Sequence, residues 1–241
     1  MSNSKLVSYT RLSPNCNKPR NHTIDKITIH HMAGKLSIEQ CGAIFAPTSR
    51  RASSNYGIGS DGRVGMYVEE KNRSWCSSNV ANDHRAITIE VANDVVGGNW
   101  HISDTALARL IDLCVDICQR NGIPQLNYTG DKSGNLTMHK WFAATACPGP
   151  YLASQFPYIA KEVNARLGSA FSEYRVRVNI SNLNIRKGPG TNYARNGKTT
   201  GKGVFTIVEE AAGPGATNWG LLKSYASNRN GWISLDFTTK I

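Results

Sequence analysis

Hydrophobic residues in the first part of the chain follow two different periods. Lys26–His31 (KITIHH) and Ala86–Ala92 (AITIEVA) are rich in β-branched residues, which predicts two buried strands. Tyr56–Met66 holds two short apolar runs on either side of Asp61-Gly62, a dipeptide typical of a hairpin turn. These segments predict the strands of a central sheet.

Helical spacing appears between the predicted strands. Ser37 and Gln40 have the spacing of a capping box, which predicts the start of a helix. A longer helix is predicted from Ser103 to a stop at Gly122, and another over about 151–167. The apolar face of the longer helix consists of Leu107, Leu110, Ile111, Cys114, Val115 and Cys118. Strands mixed with helices predict an α/β domain, a mixed β-sheet flanked by helices, over residues 1–168.

The pattern changes in the last third of the chain. From Tyr174 onward there are only short strand-like runs separated by turns, and no helical period is visible. Such a pattern predicts a small all-β barrel over residues 174–241. Residues 169–173 are predicted to be the linker between the two domains.

Charge distinguishes the two predicted domains. The chain of 241 residues has a formal charge of +11, and residues 174–241 hold 10 Lys and Arg against 3 Asp and Glu. This local excess predicts an anionic partner for the second domain. Charge alone leaves nucleic acid, acidic lipid and an anionic wall polymer open.

Two further features of composition narrow the class of protein. No apolar run is long enough for a membrane span, and the polar N-terminus has no signal core, so we expect the protein in the cytoplasm of the producing cell. Six cysteines without any C-x-x-C pair argue against zinc fingers and redox motifs, and a disulfide framework is not expected in a reducing compartment. Cys114 and Cys118 are interpreted as core residues.

A candidate metal site combines the pair His30-His31, at the end of a predicted strand, with His139 and Cys147. Imidazole nitrogen and thiolate sulfur are ligands that zinc prefers, and three protein ligands leave an open position, as in catalytic sites. Glu90 is the acid inside the apolar run AITIEVA and is a candidate general base. Taken singly, each residue has an ordinary alternative: a hydrogen-bonded core histidine, an inert buried cysteine, or a glutamate paired with an arginine.

The segments ITIHHMAG, SSNYGIGSDGRV, RSWCSS, RAITIEVAND and MHKWFAATACPGP occur in this order. Over roughly residues 20–167 the chain resembles the zinc-dependent N-acetylmuramoyl-L-alanine amidases of type 2, a family that includes phage lysins, bacterial wall amidases and peptidoglycan recognition proteins. The resemblance implies zinc as the cofactor, and it carries over residue by residue. The matching positions are zinc ligands His30, His139 and Cys147, general base Glu90, Thr145 near the scissile carbonyl, and substrate-side residues Trp75, Ser54 and Asn55.

Two of these positions depart from the family's pattern. Many relatives have Trp-His where this chain has Trp75-Cys76, and some place a catalytic tyrosine where Ser54 stands. The second departure assigns the role of base more firmly to Glu90. Neither change affects a predicted zinc ligand, so the resemblance still implies activity but leaves the substrate subsites open.

The second domain has its own resemblance. LNIRKGPGTNY, NWGLLKS and NGWISLDF resemble the bacterial SH3-like domain, a module that binds cell-wall peptides or anionic wall polymers. Tyr193, Trp219 and Tyr225 are the candidate wall-binding residues. Trp219 and Trp232 have the alternative interpretation of barrel core.

Together the resemblances imply an enzyme that cleaves the amide between N-acetylmuramic acid and L-alanine of the stem peptide, as a phage or prophage endolysin or, alternatively, a host autolysin. A non-catalytic peptidoglycan receptor on the same fold and a peptidase that cuts within the stem peptide are the competing hypotheses. Bacterial peptidoglycan is the expected partner, with anionic wall polymers as a further candidate. We expect no nucleic acid, no membrane insertion and a monomer.

Overall fold

The structure is a computed structural model that describes residues 2–167, 173–223 and 230–241. The chain forms two compact units, Met1–Gly168 and Ser169–Ile241. The predicted linker therefore lies largely outside the described residues. None of the helices among the described residues combines the length and the apolar character that spanning a bilayer requires.

Residues 2–167 of the first unit form four α-helices and eight strands. The helices are α1 (Ile38–Phe45), α2 (Val80–Arg85), α3 (Asp104–Asn121) and α4 (Pro150–Arg166). The strands are β1 (Val7–Thr10), β2 (Cys16–Asn17), β3 (Lys26–His31), β4 (Tyr56–Ile58), β5 (Val64–Met66), β6 (Arg73–Ser74), β7 (Ala86–Val91) and β8 (Leu136–Met138).

Six of these strands form one mixed sheet in the order β1-β5-β4-β7-β3-β8. β3 pairs in parallel with β7 and β8, β4 pairs in parallel with β7, and β5 in parallel with β1. The hairpin of β4 and β5 is antiparallel. The first unit thus has the predicted α/β class with a mixed sheet and helices.

The two faces of the sheet differ because side chains of a strand alternate in direction. Ile27 and Ile29 of β3 and Ile87 and Ile89 of β7 are fully buried in one cluster with the apolar residues of α3 and α4. The intervening residues of both strands are polar and point to the opposite face. That second face holds buried hydroxyls and, at the end of the strands, the candidate catalytic side chains.

The predicted helix boundaries are confirmed. Ser37 Oγ accepts from the Gln40 backbone N–H while the Gln40 side chain accepts from Ser37 N–H, which is the predicted capping box. Ser103 caps α3, and Gly122 ends it in the left-handed conformation. The predicted core cysteines Cys114 and Cys118 are both fully buried.

The second unit is all-β. Its strands are β9 (Tyr174–Val178), β10 (Asn184–Arg186), β11 (Arg195–Thr199), β12 (Gly203–Gly213), β13 (Ala216–Leu222), β14 (Trp232–Ser234) and β15 (Thr238–Lys240). They form one sheet in the order β11-β10-β14-β13-β12-β9-β15 with antiparallel pairing. This unit has an apolar core of its own, built around Val176, Val178, Ile185, Ile207 and Ile233.

Candidate active site

His30 and Glu90 stand side by side because of strand register. β3 and β7 pair in parallel with His30 opposite Glu90, so both side chains leave the same face at the same end of the sheet. This is the carboxyl end of the parallel strands, where α/β sheets place their ligands. The pairing of β3 with β7 thus positions the first candidate ligand next to the candidate base.

His139 and Cys147 reach the same end through the segment after β8. β8 ends at Met138, and His139 begins a short 3-10 turn to Trp141. The backbone N–H of Lys140 donates to the carbonyl of Cys147 at 3.0 Å, which fixes the returning segment beside His139. The candidate ligand atoms of His30, His139 and Cys147 all lie within 4.8 Å of one another.

These three residues fit a zinc ion. The Nε2 atoms of His30 and His139 are buried and have no hydrogen-bond partner among the described residues, although their rings are 4.6 Å apart. Burial lowers the pKa of His139, and burial followed by the charges of His139 and His31 lowers the pKa of His30. Both rings are therefore neutral near pH 7 and present lone pairs to a cation. Two imidazoles and one thiol form a donor set that zinc prefers.

Glu90 is held in an environment that suits proton transfer. Its Oε2 atom is buried without a hydrogen-bond partner among the described residues, and the Cys76 thiol donates to Oε1 at 3.8 Å. Burial raises the pKa of Glu90 to about 8, against the lowering effects of that hydrogen bond and of the Arg50 charge. A carboxyl with a raised pKa is suited both to accept and to return a proton near neutral pH.

A pocket of about 690 Å³ opens onto these residues. Trp75 and Thr145, the two residues predicted to lie near the substrate and the scissile carbonyl, both line it. The Trp75 ring is oriented by its Nε1–H, which donates to Asn17 Oδ1 at 2.6 Å. Thr145 is exposed, and its Oγ1 accepts from the Cys147 backbone N–H at 3.2 Å. The hydroxyl hydrogen of Thr145 is left to donate towards the pocket.

The prediction that Ser54 and Asn55 contact substrate is wrong. Both are 0% exposed and neither lines the pocket. Ser54 Oγ donates to the carbonyls of Tyr56 and Thr88, each at 2.9 Å, and the Asn55 side chain bonds Val68, Ser74 and Thr88. These two side chains form hydrogen bonds with buried polar atoms of the sheet, which need such partners once they are removed from water.

Several pocket residues were not identified from the sequence. Asp83 is buried and accepts from the backbone N–H groups of Cys76 and Ser77 and from the Ser77 hydroxyl. Burial raises its pKa and these hydrogen bonds oppose the rise. Asp83 thereby holds the segment that carries Cys76. The departure from the family pattern at Trp75-Cys76 was the one sequence signal for this segment. No sequence pattern indicated that Arg50 and Arg51 line the pocket.

The second unit corrects one wall-contact prediction. Trp219 is 3% exposed and its Nε1–H donates to the Gly213 carbonyl at 3.3 Å, so it is a core residue and its predicted surface role is wrong. Tyr193 is 44% exposed. Tyr225 lies outside the described residues.

Comparison with known proteins places the first unit among amidases. The family model described as N-acetylmuramoyl-L-alanine amidase matches residues 20–150, more than half of the chain. No curated protein sequence matches.

Solved structures show similarity at low identity. PlyL is 15% identical over 64% of this chain and 95% of its own, with a TM-score of 0.50. The catalytic domain of XlyA is 15% identical over 64% of this chain and 97% of its own, with a TM-score of 0.50. The amidase LysC from Clostridium intestinale is 21% identical over 67% of this chain and 94% of its own, with a TM-score of 0.47. The likeness to PlyL and XlyA shows a shared fold.

Proposed function

The chain belongs to the N-acetylmuramoyl-L-alanine amidase family, and from this premise we propose that it is a zinc-dependent enzyme that hydrolyses the amide between N-acetylmuramic acid and L-alanine in peptidoglycan. The observation that carries the zinc assignment is the convergence of His30, His139 and Cys147 within 4.8 Å. Their unpartnered ring nitrogens support a cation at that point.

Each residue around the proposed zinc site has its own role in the proposed reaction. Zinc, when bound by His30, His139 and Cys147, supplies a Lewis acid for amide hydrolysis. Glu90 accepts the proton of the attacking water and returns it to the leaving amine. The Thr145 hydroxyl, next in space to Cys147, donates to the oxyanion that develops on the scissile carbonyl. Trp75 forms a wall of the substrate pocket.

The experiment that tests this proposal is mass spectrometry of fragments released from purified peptidoglycan. We expect free stem peptides that begin with L-alanine, lost on treatment with a chelator and restored by zinc. Fragments cut within the stem peptide would instead identify a peptidase. No release from walls of several compositions would favour a non-catalytic receptor.

For the second unit we propose an SH3-like wall-binding role. The motif LNIRKGPGTNY, the all-β sheet and the local excess of Lys and Arg support it. Exposed Tyr193 remains a candidate contact, while buried Trp219 stabilises the unit. Peptidoglycan and an anionic wall polymer are the ligands that this chemistry suits.

An endolysin role, with phage or prophage origin, extends the proposal to the whole protein. It predicts that purified protein lowers the turbidity of a suspension of wall-exposed target bacteria. Protein with the Cys147→Ser substitution serves as the control in the same assay. Lysis by that variant would contradict the proposed site.

A further inference from the structure

Two exposed arginines stand at the pocket immediately after α1. Arg50 ends a 3-10 turn and Arg51 follows it, and both line the pocket that opens onto Glu90 and Cys147. Neither forms a salt bridge with any acid of the described residues. Most other pocket side chains are apolar or already hydrogen-bonded, so this pair is a charged surface available to a ligand.

The backbone at this point is strained. Arg51 has φ 50° and ψ 27°, the left-handed conformation that costs a residue with a side chain about 1 kcal/mol or more. Such strain persists where the surrounding structure fixes it, and it tends to occur at binding sites. Here it directs two consecutive arginines to the same pocket.

The other charged residues that line the pocket form no ion pair with Arg50 or Arg51. Asp83 accepts hydrogen bonds from Cys76 and Ser77, and Glu90, the proposed base, has a buried Oε2 atom. Arg73 donates to Asn17 Oδ1 and is 9% exposed, so it is engaged elsewhere. The rim formed by Arg50 and Arg51 is therefore positive and suits an anionic group of the substrate.

We propose that Arg50 and Arg51 bind a free carboxylate of the stem peptide and make the enzyme select stems whose second residue is unamidated glutamate. The inference rests on the proposed amidase function. In a stem peptide the glutamate follows the alanine of the scissile bond directly, about 4 Å farther along the chain between Cα atoms. A guanidinium binds a carboxylate through two parallel hydrogen bonds, and an amide at the same position offers neither the charge nor both acceptors.

The test uses two soluble muramoyl tripeptides that differ only in a carboxylate or an amide on the glutamate. The variants are Arg50→Gln, Arg51→Asn, which tolerates the left-handed backbone, and the double variant; Arg11→Gln, an exposed arginine outside the pocket, is the matched control. We expect wild type to have a KM about tenfold lower for the carboxylate substrate. The double variant should lose this discrimination through KM, with little change in zinc content or Tm. Because the Arg50 charge lowers the pKa of Glu90, any change in kcat should be the same for the two substrates.

A second measurement separates the inference from the amidase proposal. Calorimetric titration with the free stem tripeptides, acid and amide, reports binding without turnover. Tighter binding of the acid that depends on both arginines, with neither muramoyl substrate cleaved, would uphold the carboxylate site and contradict the amidase. Two results would overturn the carboxylate site alone. The first is cleavage of both substrates by wild type with equal KM, and the second is an equal rise in KM for both substrates in the double variant.

Discussion

At the scale of single residues, His30 and Glu90 lie opposite each other on neighbouring strands and are proposed to have different roles in one site. We predict that Cys147→Ser and His139→Ala each lose zinc and activity, because each removes one of the three proposed ligands. Glu90→Ala should keep zinc yet lower kcat by about 10² to 10⁴, the usual contribution of a general base. Metal analysis of the purified variants and kcat on a soluble muropeptide check both statements. Normal turnover by Glu90→Ala would exclude it as the base.

Gly149 and Gly122 both have positive φ, but they differ in the space available for an added side chain. Gly149 has φ 82° and ψ 162°, a region open almost only to glycine, and a Cβ there would lie 3.0 Å from Trp100 Cβ and 3.2 Å from the His31 ring. Gly122 has φ 66° and ψ 30°, and a Cβ there meets nothing within 4 Å.

We predict that Gly122→Ala costs about 1 kcal/mol of unfolding free energy, the penalty of the left-handed backbone alone. Gly149→Ala should cost about 2–3 kcal/mol, because backbone strain and crowding add. Urea denaturation of both variants against wild type measures the difference. Equal losses would mean that His31 and Trp100 yield to the added methyl group.

The sequence allowed the grouping of residues to be predicted where the residue type is chemically restrictive. Histidine, cysteine and an acid within an apolar strand call for a particular environment, and the structure brings His30, His139, Cys147 and Glu90 together. It failed for Ser54 and Asn55, because hydroxyl and amide groups serve equally well in a substrate pocket and behind a sheet. Only tertiary pairing with Thr88 decides between those places.

At the scale of elements, an ion pair between a buried glutamate and a partly buried arginine of α3 holds that helix against the strands. Glu70 is 0% exposed and accepts from Arg120 at 2.6 and 2.8 Å and from the Tyr56 hydroxyl at 2.6 Å. We predict that Glu70→Gln costs about 2–3 kcal/mol, since the partly buried Arg120 loses one of its two counter-charges and keeps only Asp116 at 2.7 Å. Chemical denaturation measures it.

The matched control is Asp112→Asn, which removes a charge from the exposed pair between α3 and Arg166 of α4. Both side chains of that pair are 42% exposed, so water replaces the lost interaction and the stability should barely change. A similar loss in both variants would show that burial does not decide the strength of these pairs.

Elements with complete local signals were predictable, and short strands were not. α1 and α3 have caps and an apolar period within their own sequences. β1 and β8 are four and three residues long and are defined by partners far along the chain, Val64 for Val7 and Ile27 for Leu136. No local pattern specifies such pairings, which is why these strands were missed.

At the scale of the whole molecule, the proposed catalysis and the proposed wall binding belong to separate units. The proposed zinc site draws its residues from the first unit, and the second unit has its own apolar core. The charge excess of residues 174–241 lies in the second unit. The two activities should therefore be separable by truncation.

We predict that removal of residues 169–241 leaves zinc content and kcat on a soluble muropeptide unchanged and weakens sedimentation with purified walls. If the basic unit acts through anionic polymer, the binding of the full chain should also fall as salt rises from 0.05 to about 0.5 M, because the screening length shortens well below 10 Å. Walls stripped of anionic polymer separate the two ligands: retained, salt-insensitive binding would assign the unit to peptidoglycan itself. Unchanged sedimentation of the truncated chain would move the wall contact to the catalytic unit.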